Sequence, residues 1–325
     1  MYKFKKILVP TDFSKGAQDA YLYGRALARK FDGKVDLLHV IKILKYLNES
    51  IRKLGLPLDM DKDIYPKIQT DTKARLEEEL SSNFPEEVRG NTKVIIDRKV
   101  SDAVTNFAKD NEYDIIVIGA RGSHETSLIK GTTAEKIIRI STVPVLTVQG
   151  DLPPKGVNRV LIPTDYSDLS ITSLKYALSI ATSLDAEMTM LHVLELYGSP
   201  IENEPRGEAG RGDLDSMSLK IREKVKKYLT ENKLDDETWT LVEEDGHAYL
   251  VNEENLRKVK FNVVVLKSIN AHYAIVDYAN ESSDLIVMAT HGRSGLSHLF
   301  LGSTTEKVIT SSNVPVLTVR PPKKK

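Results

Sequence analysis

Five short apolar runs punctuate the first half of this chain: KILVP from Lys6, VDLLHV from Val35, KVIID from Lys93, DIIVIG from Asp114 and VPVLTV from Val143. Between them lie stretches with helical spacing, such as Ala17–Lys30 and Thr70–Leu80. Runs that are apolar on both faces and alternate with helices predict an α/β fold, a doubly wound parallel sheet covered by helices on both sides. The pattern predicts five strands in each half of the chain. Pro144 and Pro315 stand near the start of the last run of each half, where a missing amide costs least at a sheet edge. An apolar edge strand invites pairing, either of the two halves with each other or of two chains as a homodimer.

The second half repeats the first. ILVPTDFS (Ile7–Ser14) pairs with VLIPTDYS (Val160–Ser167), and VDLLHV with MTMLHV (Met188–Val193), both at an offset of 153. DIIVIGARG (Asp114–Gly122) pairs with DLIVMATHG (Asp284–Gly292) at 170, and GTTAEKIIRISTVPVLTV (Gly131–Val148) with GSTTEKVITSSNVPVLTV (Gly302–Val319) at 171. Internal periodicity of this size indicates duplicated domains, and 325 residues exceed what one core usually holds. The expected division is residues 1–150 and 151–325, joined through the Pro- and Gly-rich QGDLPPKG at 149–156, with an insertion around 235–260 in the second domain. There Asp245-Gly246 separates two apolar-bearing runs and reads as a hairpin. The sole tryptophan, Trp239, lies in the same segment, which reads as a packed embellishment. Two other stretches break the repeat, the long excursion after the first LHV and the Gly- and charge-rich segment from Tyr197.

Charge and composition narrow the partners. Lys plus Arg and Asp plus Glu are 46 each, so no overall field draws the chain to nucleic acid or an anionic membrane. The terminal PPKKK reads as a solubilising tail. There is no cysteine, which removes disulfides, thiolate metal sites and thiol nucleophiles and suits a cytoplasmic location. The N-terminal MYKFKKILVPTDF has only a short apolar run before Pro and Asp, unlike a signal peptide, and no window reaches the ~18 apolar residues of a membrane span.

Candidate chemistry gathers at the ends of strands one and four. In open parallel sheets, ligands sit outside the carboxyl ends of strands where the winding reverses. Strand one ends in Pro10-Thr11-Asp12 and in Pro163-Thr164-Asp165, while strand four ends at Gly119 and at Ala289, each followed by a glycine-bearing loop. The loops deliver the chain to helices beginning GTTAE and GSTTE, both of capping-box form, with Ser303 and Glu306 in the second. Glycine beside a helix N-terminus lets backbone amides and the helix dipole meet a phosphate. Two such units, each paired with a Pro-Thr-Asp, point to nucleotide sites.

Neither is a Walker A loop, since Lys130 precedes Gly131 and its counterpart is Leu301, and no G-x-G-x-x-G follows the first strand. Lys130 reads equally as a phosphate contact and as solvated surface. His39 and His192, at matching places in LHV, read as hydrogen-bonded structural residues. His124 and His291 lie in the glycine loops without a repeated proton-transfer partner. No side-chain cluster has metal-ligand spacing. Magnesium is expected only with ATP, with Asp12 or Asp165 supplying an oxygen.

Pro-Thr-Asp followed by Ser at strand one, LHV after strand two, and G-x2-G-x9-G-[S/T] after strand four together resemble the universal stress proteins, here in tandem two-domain form. The resemblance covers nearly all of both halves. It implies strand order 3-2-1-4-5, one ATP (or ADP or AMP) site per half, and pairing through the fifth strands. By the same resemblance, Asp12 and Asp165 would hydrogen-bond the ribose or nearby groups, and Val40 and Val193 would meet adenine through their backbones. Gly119, Gly122, Gly131, Thr132 and Thr133 would cradle ribose and phosphates in the first half, as Gly292, Gly302, Ser303 and Thr304 would in the second. Both halves depart from the pattern: the first loop has eight residues (123–130) where the family has nine, and the second opens with Ala289 in place of Gly. Both sites are expected to be occupied, the second holding ATP the better. The function so implied is a nucleotide-dependent stress or regulatory protein with ATP as a bound effector. The alternative is a slow ATPase or nucleotidyl-transfer enzyme using the same loop. A phospho-receiver module is disfavoured, because each half has a single Asp at strand one and Gly or Ala after strand four.

Overall fold

The computed structural model describes residues 2–43, 49–51, 53–54, 59–120, 133–153, 156–196, 211–234, 237–290 and 301–320. It forms two compact units, Phe4–Asp151, and Leu152–Lys325 together with Met1–Lys3.

The first unit runs β1 (Lys6–Pro10), α1 (Lys15–Phe31), β2 (Lys34–Lys42), α2 (Tyr65–Asn83), β3 (Arg89–Asp97), α3 (Val100–Asp110), β4 (Ile115–Gly119), α4 (Thr133–Ile140) and β5 (Val145–Val148). All five strands are parallel, in the order β3-β2-β1-β4-β5. The apolar runs form the floor of the core: Ile7, Leu8, Val9, Leu37, Leu38, Ile116 and Val117 are fully buried. At the amino ends of the strands, Asp114 accepts the amides of Lys5 and Lys6, both at 2.8 Å, and so pins β1 beside β4.

The second unit runs β6 (Arg159–Thr164), α5 (Asp168–Ile171), α6 (Leu174–Leu184), β7 (Glu187–Glu195), α7 (Arg211–Glu231), β8 (Trp239–Glu244), β9 (His247–Asn252), β10 (Lys258–Ser268), α8 (Ala271–Ser282), β11 (Leu285–Ala289), α9 (Ser303–Ser311) and β12 (Val316–Val319). Its parallel strands keep the same order, β10-β7-β6-β11-β12. Asp284 repeats the anchoring role of Asp114, accepting the amides of Asn158 (3.0 Å) and Arg159 (2.9 Å).

Five strands were expected here, and the described residues of the unit form seven. β8 and β9 form an antiparallel hairpin whose turn residues, Asp245 (φ 50°) and Gly246 (φ 76°), both take the left-handed conformation that suits a two-residue loop. β9 then pairs antiparallel with β10, with Lys258 opposite Val251, so the inserted segment extends the sheet beyond its third strand. Trp239 is buried in it, its Nε1 donating to Glu237 at 3.2 Å.

The helix after the first strand also differs between units. α1 runs unbroken for 17 residues, whereas its counterpart stops after four, at Ile171, and restarts at Leu174. The break falls in a hydroxyl-rich stretch. Ser170 donates to the Ser167 carbonyl (2.9 Å), Thr172 to Leu169 (2.6 Å) and Ser173 to Ser170 (2.7 Å), local bonds that compete with the helical ladder.

Gly119 ends β4 hard against the start of α1: a Cβ there would lie 2.1 Å from the Gly16 carbonyl oxygen. Both partners of that contact are replaced in the second unit, Gly119 by Ala289 and Gly16 by Leu169. The glycine thus answers to helix packing, whatever else it does. Gly119→Ala is expected to destabilise the chain by about 1–3 kcal/mol, as overpacking does, while Ala289→Gly costs about 0.5–1 kcal/mol, the ordinary backbone entropy of glycine. Urea midpoints followed by circular dichroism compare the two.

Candidate functional site

A proline opens the crevice in each sheet. The Thr11 amide donates to the Leu38 carbonyl of β2 at 2.8 Å. Successive residues of a strand direct their peptide groups to opposite neighbours, so residue 10 faces β4, and proline has no N–H to offer there. The β1–β4 register accordingly stops at Leu8 opposite Ile116, while β1–β2 pairing continues to Pro10. In the second unit pairing with β11 stops at Leu161, while that with β7 continues to Thr164. The two central strands therefore diverge at their carboxyl ends.

The turn beyond is built almost identically twice. Thr11, buried, accepts the Phe13 amide on its hydroxyl (3.0 Å), and Asp12 accepts the Ser14 amide (3.0 Å). Thr164 likewise accepts from Tyr166 (3.1 Å) and Asp165 from Ser167 (3.0 Å). Between the two bonds, Phe13 (φ 63°) and Tyr166 (φ 65°) adopt the left-handed conformation, rare for an aromatic residue. The serine after each caps the next helix, Ser14 accepting from Ala17 (3.3 Å) and Ser167 from Ser170 (3.1 Å). The Thr11 and Thr164 carbonyls, left at the strand end, meet His39 Nδ1 and His192 Nδ1, both at 2.8 Å. Both histidines thus have the structural role expected of them.

The supports around this turn differ. The Thr11 hydroxyl meets the Tyr21 phenol (2.7 Å), whose pKa burial pushes up to about 12; Thr164 meets the Ser170 hydroxyl instead (2.8 Å). Asp12 is exposed, whereas Asp165 is half-buried and also accepts the Ser167 hydroxyl at 2.6 Å. Phe13 stacks on His39 with ring centres 4.9 Å apart and carries the Arg75 guanidinium 4.0 Å from its own centre. Over Tyr166 stands the Lys224 ammonium, 4.4 Å from the ring centre.

On the neighbouring strand of the second unit, the Gly302 amide donates to the Thr290 carbonyl (2.9 Å), returning the chain to the end of β11. A Cβ on Gly302 would lie 3.3 Å from that oxygen, so close approach favours glycine here. The Thr305 hydroxyl donates to the Ala289 carbonyl (3.1 Å), a second tie of α9 to the strand end. The capping box expected at Ser303 and Glu306 does not form. Gly302 is the N-cap with no side-chain bond, and Ser303 is already the first helical residue.

The model of the universal stress protein family matches residues 3–149 and again 156–320. The chain belongs to the universal stress protein family. It is 32% identical over 167 residues to universal stress protein MJ0531 of Methanocaldococcus jannaschii, 51% of this chain and 84% of that protein. It is 27% identical over 336 residues to universal stress protein Slr1230 of Synechocystis sp., covering 97% of this chain and all of that one. The crystal structure of a universal stress protein from Archaeoglobus fulgidus shares the fold, with TM-score 0.65 at 20% identity over 97% of both chains.

Within this universal stress protein pair, the expected site residues fall into four groups. Pro10, Thr11 and Asp12, with Pro163, Thr164 and Asp165, form the turns at the crevice, and Ala289 ends β11, buried. Val40 and Val193 lie near the ends of β2 and β7, half-buried and in register with Ile95 and Leu266. Thr133 opens α4, exposed, and Thr304 stands half-buried in the first turn of α9. Gly122, Lys130, Gly131, Thr132 and Gly292, like His124 and His291, lie outside the described residues. Among the described residues, no group of three or more His, Asp or Glu is placed to hold a metal, and no helix is long and apolar enough to cross a membrane.

Sequence reasoning missed Phe13, Tyr166, Arg75, Lys224 and Thr305. The aromatic residue after each Pro-Thr-Asp was the one available signal. Burial holds the His39 pKa below its ordinary 6.5, and the Thr11 carbonyl opposes that shift without cancelling it. A depressed histidine leaves the unfolded chain as the better proton acceptor, so stability falls as pH drops through about 6.5 toward the folded value. His39→Asn, whose amide can still donate to the Thr11 carbonyl, is expected to flatten the stability profile between pH 7 and 5, read from urea midpoints.

Proposed function

We propose that each unit binds one adenine nucleotide, ATP or its di- or monophosphate, in the crevice beyond β1 and β4 or β6 and β11, and that the protein is a cytoplasmic ATP-binding regulator in which the nucleotide is an effector. The observation that carries this reading is the twice-built turn: a proline parts the central strands, and an aspartate is held at the parting by the amide two residues on. A carboxylate there suits ribose hydroxyls, because hydrogen bonds to a charged acceptor are the stronger kind. Val40 and Val193 offer backbone groups to the base. The amides at the start of α9, brought to the strand end by the Gly302–Thr290 bond, suit phosphate. Magnesium enters only with the phosphates, which supply most of its oxygens. The second site is the tighter, since Asp165 is half-buried where Asp12 is exposed, and the Thr305 hydroxyl, replaced by Ala134 in the first unit, ties α9 to the end of β11.

Denaturing the purified protein and identifying released small molecules by mass is expected to yield an adenine nucleotide, and added ATP is expected to raise the melting temperature. Finding neither overturns the reading. Calorimetric titration of stripped protein should give two sites per chain. Asp165→Asn should weaken the tighter site, and Asp12→Asn the weaker, each at least about tenfold, in keeping with about 1.5–3 kcal/mol for a bond to a charged group. ADP release proportional to time and enzyme would instead make the chain an ATPase.

A further inference from the structure

Two aromatic residues in this chain adopt a backbone conformation that their side chains disfavour, and they occupy the same place in the two repeats. Phe13 and Tyr166 each separate the site aspartate from the serine that bonds it. Their conformation decides where that serine amide points. Rotating residue 13 or 166 back to an ordinary conformation would swing the Ser14 or Ser167 amide off the carboxylate and disturb the helix cap behind it. Such strain persists only where surrounding contacts over-determine it.

The contacts come from one helix position. Arg75 on α2 lies over Phe13 at 4.0 Å, and Lys224 on α7 lies over Tyr166 at 4.4 Å. Each cation directly precedes a fully buried residue, Leu76 or Val225, and lies five residues before a buried leucine, Leu80 or Leu229. The two cations therefore occupy equivalent turns of equivalent helices. Attraction between a cation and an aromatic face grows as the cation loses water, and here the two units part. Lys224 is 19% exposed, and its Nζ also donates to the Tyr166 carbonyl at 2.5 Å and pairs with Asp168 at 2.9 Å. One ammonium thus holds both the ring and the peptide group of the strained residue. Arg75 is exposed and reaches the ring alone, with His39 stacked on the same ring.

We propose that Lys224 and Arg75 are positioning residues for the two nucleotide sites, each holding the left-handed aromatic residue and, through it, the aspartate in binding geometry, with Lys224 the stronger of the two. The inference rests on the nucleotide reading above. Neither cation need touch the ligand; each acts through the turn.

The test uses the full chain with Lys224→Met, Lys224→Arg, Tyr166→Gly and the Lys224→Met/Tyr166→Gly pair, ATP as the probe, and two readouts: calorimetric affinity, and amide hydrogen exchange in peptides covering 163–170. Lys224→Met is expected to speed exchange there and weaken the tighter site about tenfold with stoichiometry unchanged. Lys224→Arg should restore most of both. Glycine takes positive φ without strain, so in the Tyr166→Gly background Lys224→Met should have a clearly smaller effect on both readouts, since only the bonds to the residue 166 carbonyl and to Asp168 remain to be lost. Arg75→Met should weaken the other site less, about threefold. The proposal is overturned if Lys224→Met leaves exchange at 163–170 unchanged, or if its effect persists undiminished in the Tyr166→Gly background. If the unaltered chain binds no ATP, the nucleotide reading falls, and the positioning role is judged on exchange alone.

Discussion

Each sheet mouth answers to one requirement: a strand that parts from its neighbours must find new partners for its peptide groups. Pro10 and Pro163 meet half of it by having no amide on the side where pairing ends. The threonine that follows meets much of the rest. Its carbonyl goes to a histidine on the next strand, and its hydroxyl takes the amide two residues on. The aspartate, the serine cap and the helix after them take their places from that settlement. His39 has its Nδ1 on a carbonyl and its pKa lowered by burial, which suits a neutral ring donating a structural bond.

The repeats preserve this backbone path while changing the side chains that support it. Tyr21 gives way to Ser170 on the threonine hydroxyl, and the Gly119–Gly16 contact gives way to Ala289 and Leu169. The broken helix after β6 belongs to the same set of changes. With Leu169 in place of Gly16 and hydroxyl residues bonding back onto local carbonyls, the helix after β6 stops at Ile171 and starts afresh at Leu174. Packing density in a protein interior allows such exchanges only in concert.

Much of this was legible in the residues. Apolar runs marked nine of the ten parallel strands, the exception being β10, which lies where the insertion breaks the repeat, and self-comparison aligned Asp12 with Asp165 because strand ends tolerate little drift in spacing. The order 3-2-1-4-5 came with the family resemblance, since strand composition does not record its neighbours. Asp245-Gly246 signalled a hairpin, but pairing onto β10 depends on edge geometry absent from local sequence. Ser303 looked like a cap because its spacing to Glu306 fits one; the tie from Gly302 to Thr290 starts the helix a residue early. The repeated aromatic after Pro-Thr-Asp hints at Phe13 and Tyr166 but not at their left-handed backbone, and Lys224 meets Tyr166 across 58 residues of chain.

The hairpin of β8 and β9 attaches where the second sheet would otherwise finish at its third strand, two strands away from the parting of β6 and β11. The added strands therefore pair at the rim and with neither strand of the crevice. The consequence is modularity: a hairpin hung on the outermost parallel strand can be lengthened, shortened or removed as a cassette, because the hydrogen-bond register of β6 with β7 and β11 does not run through it.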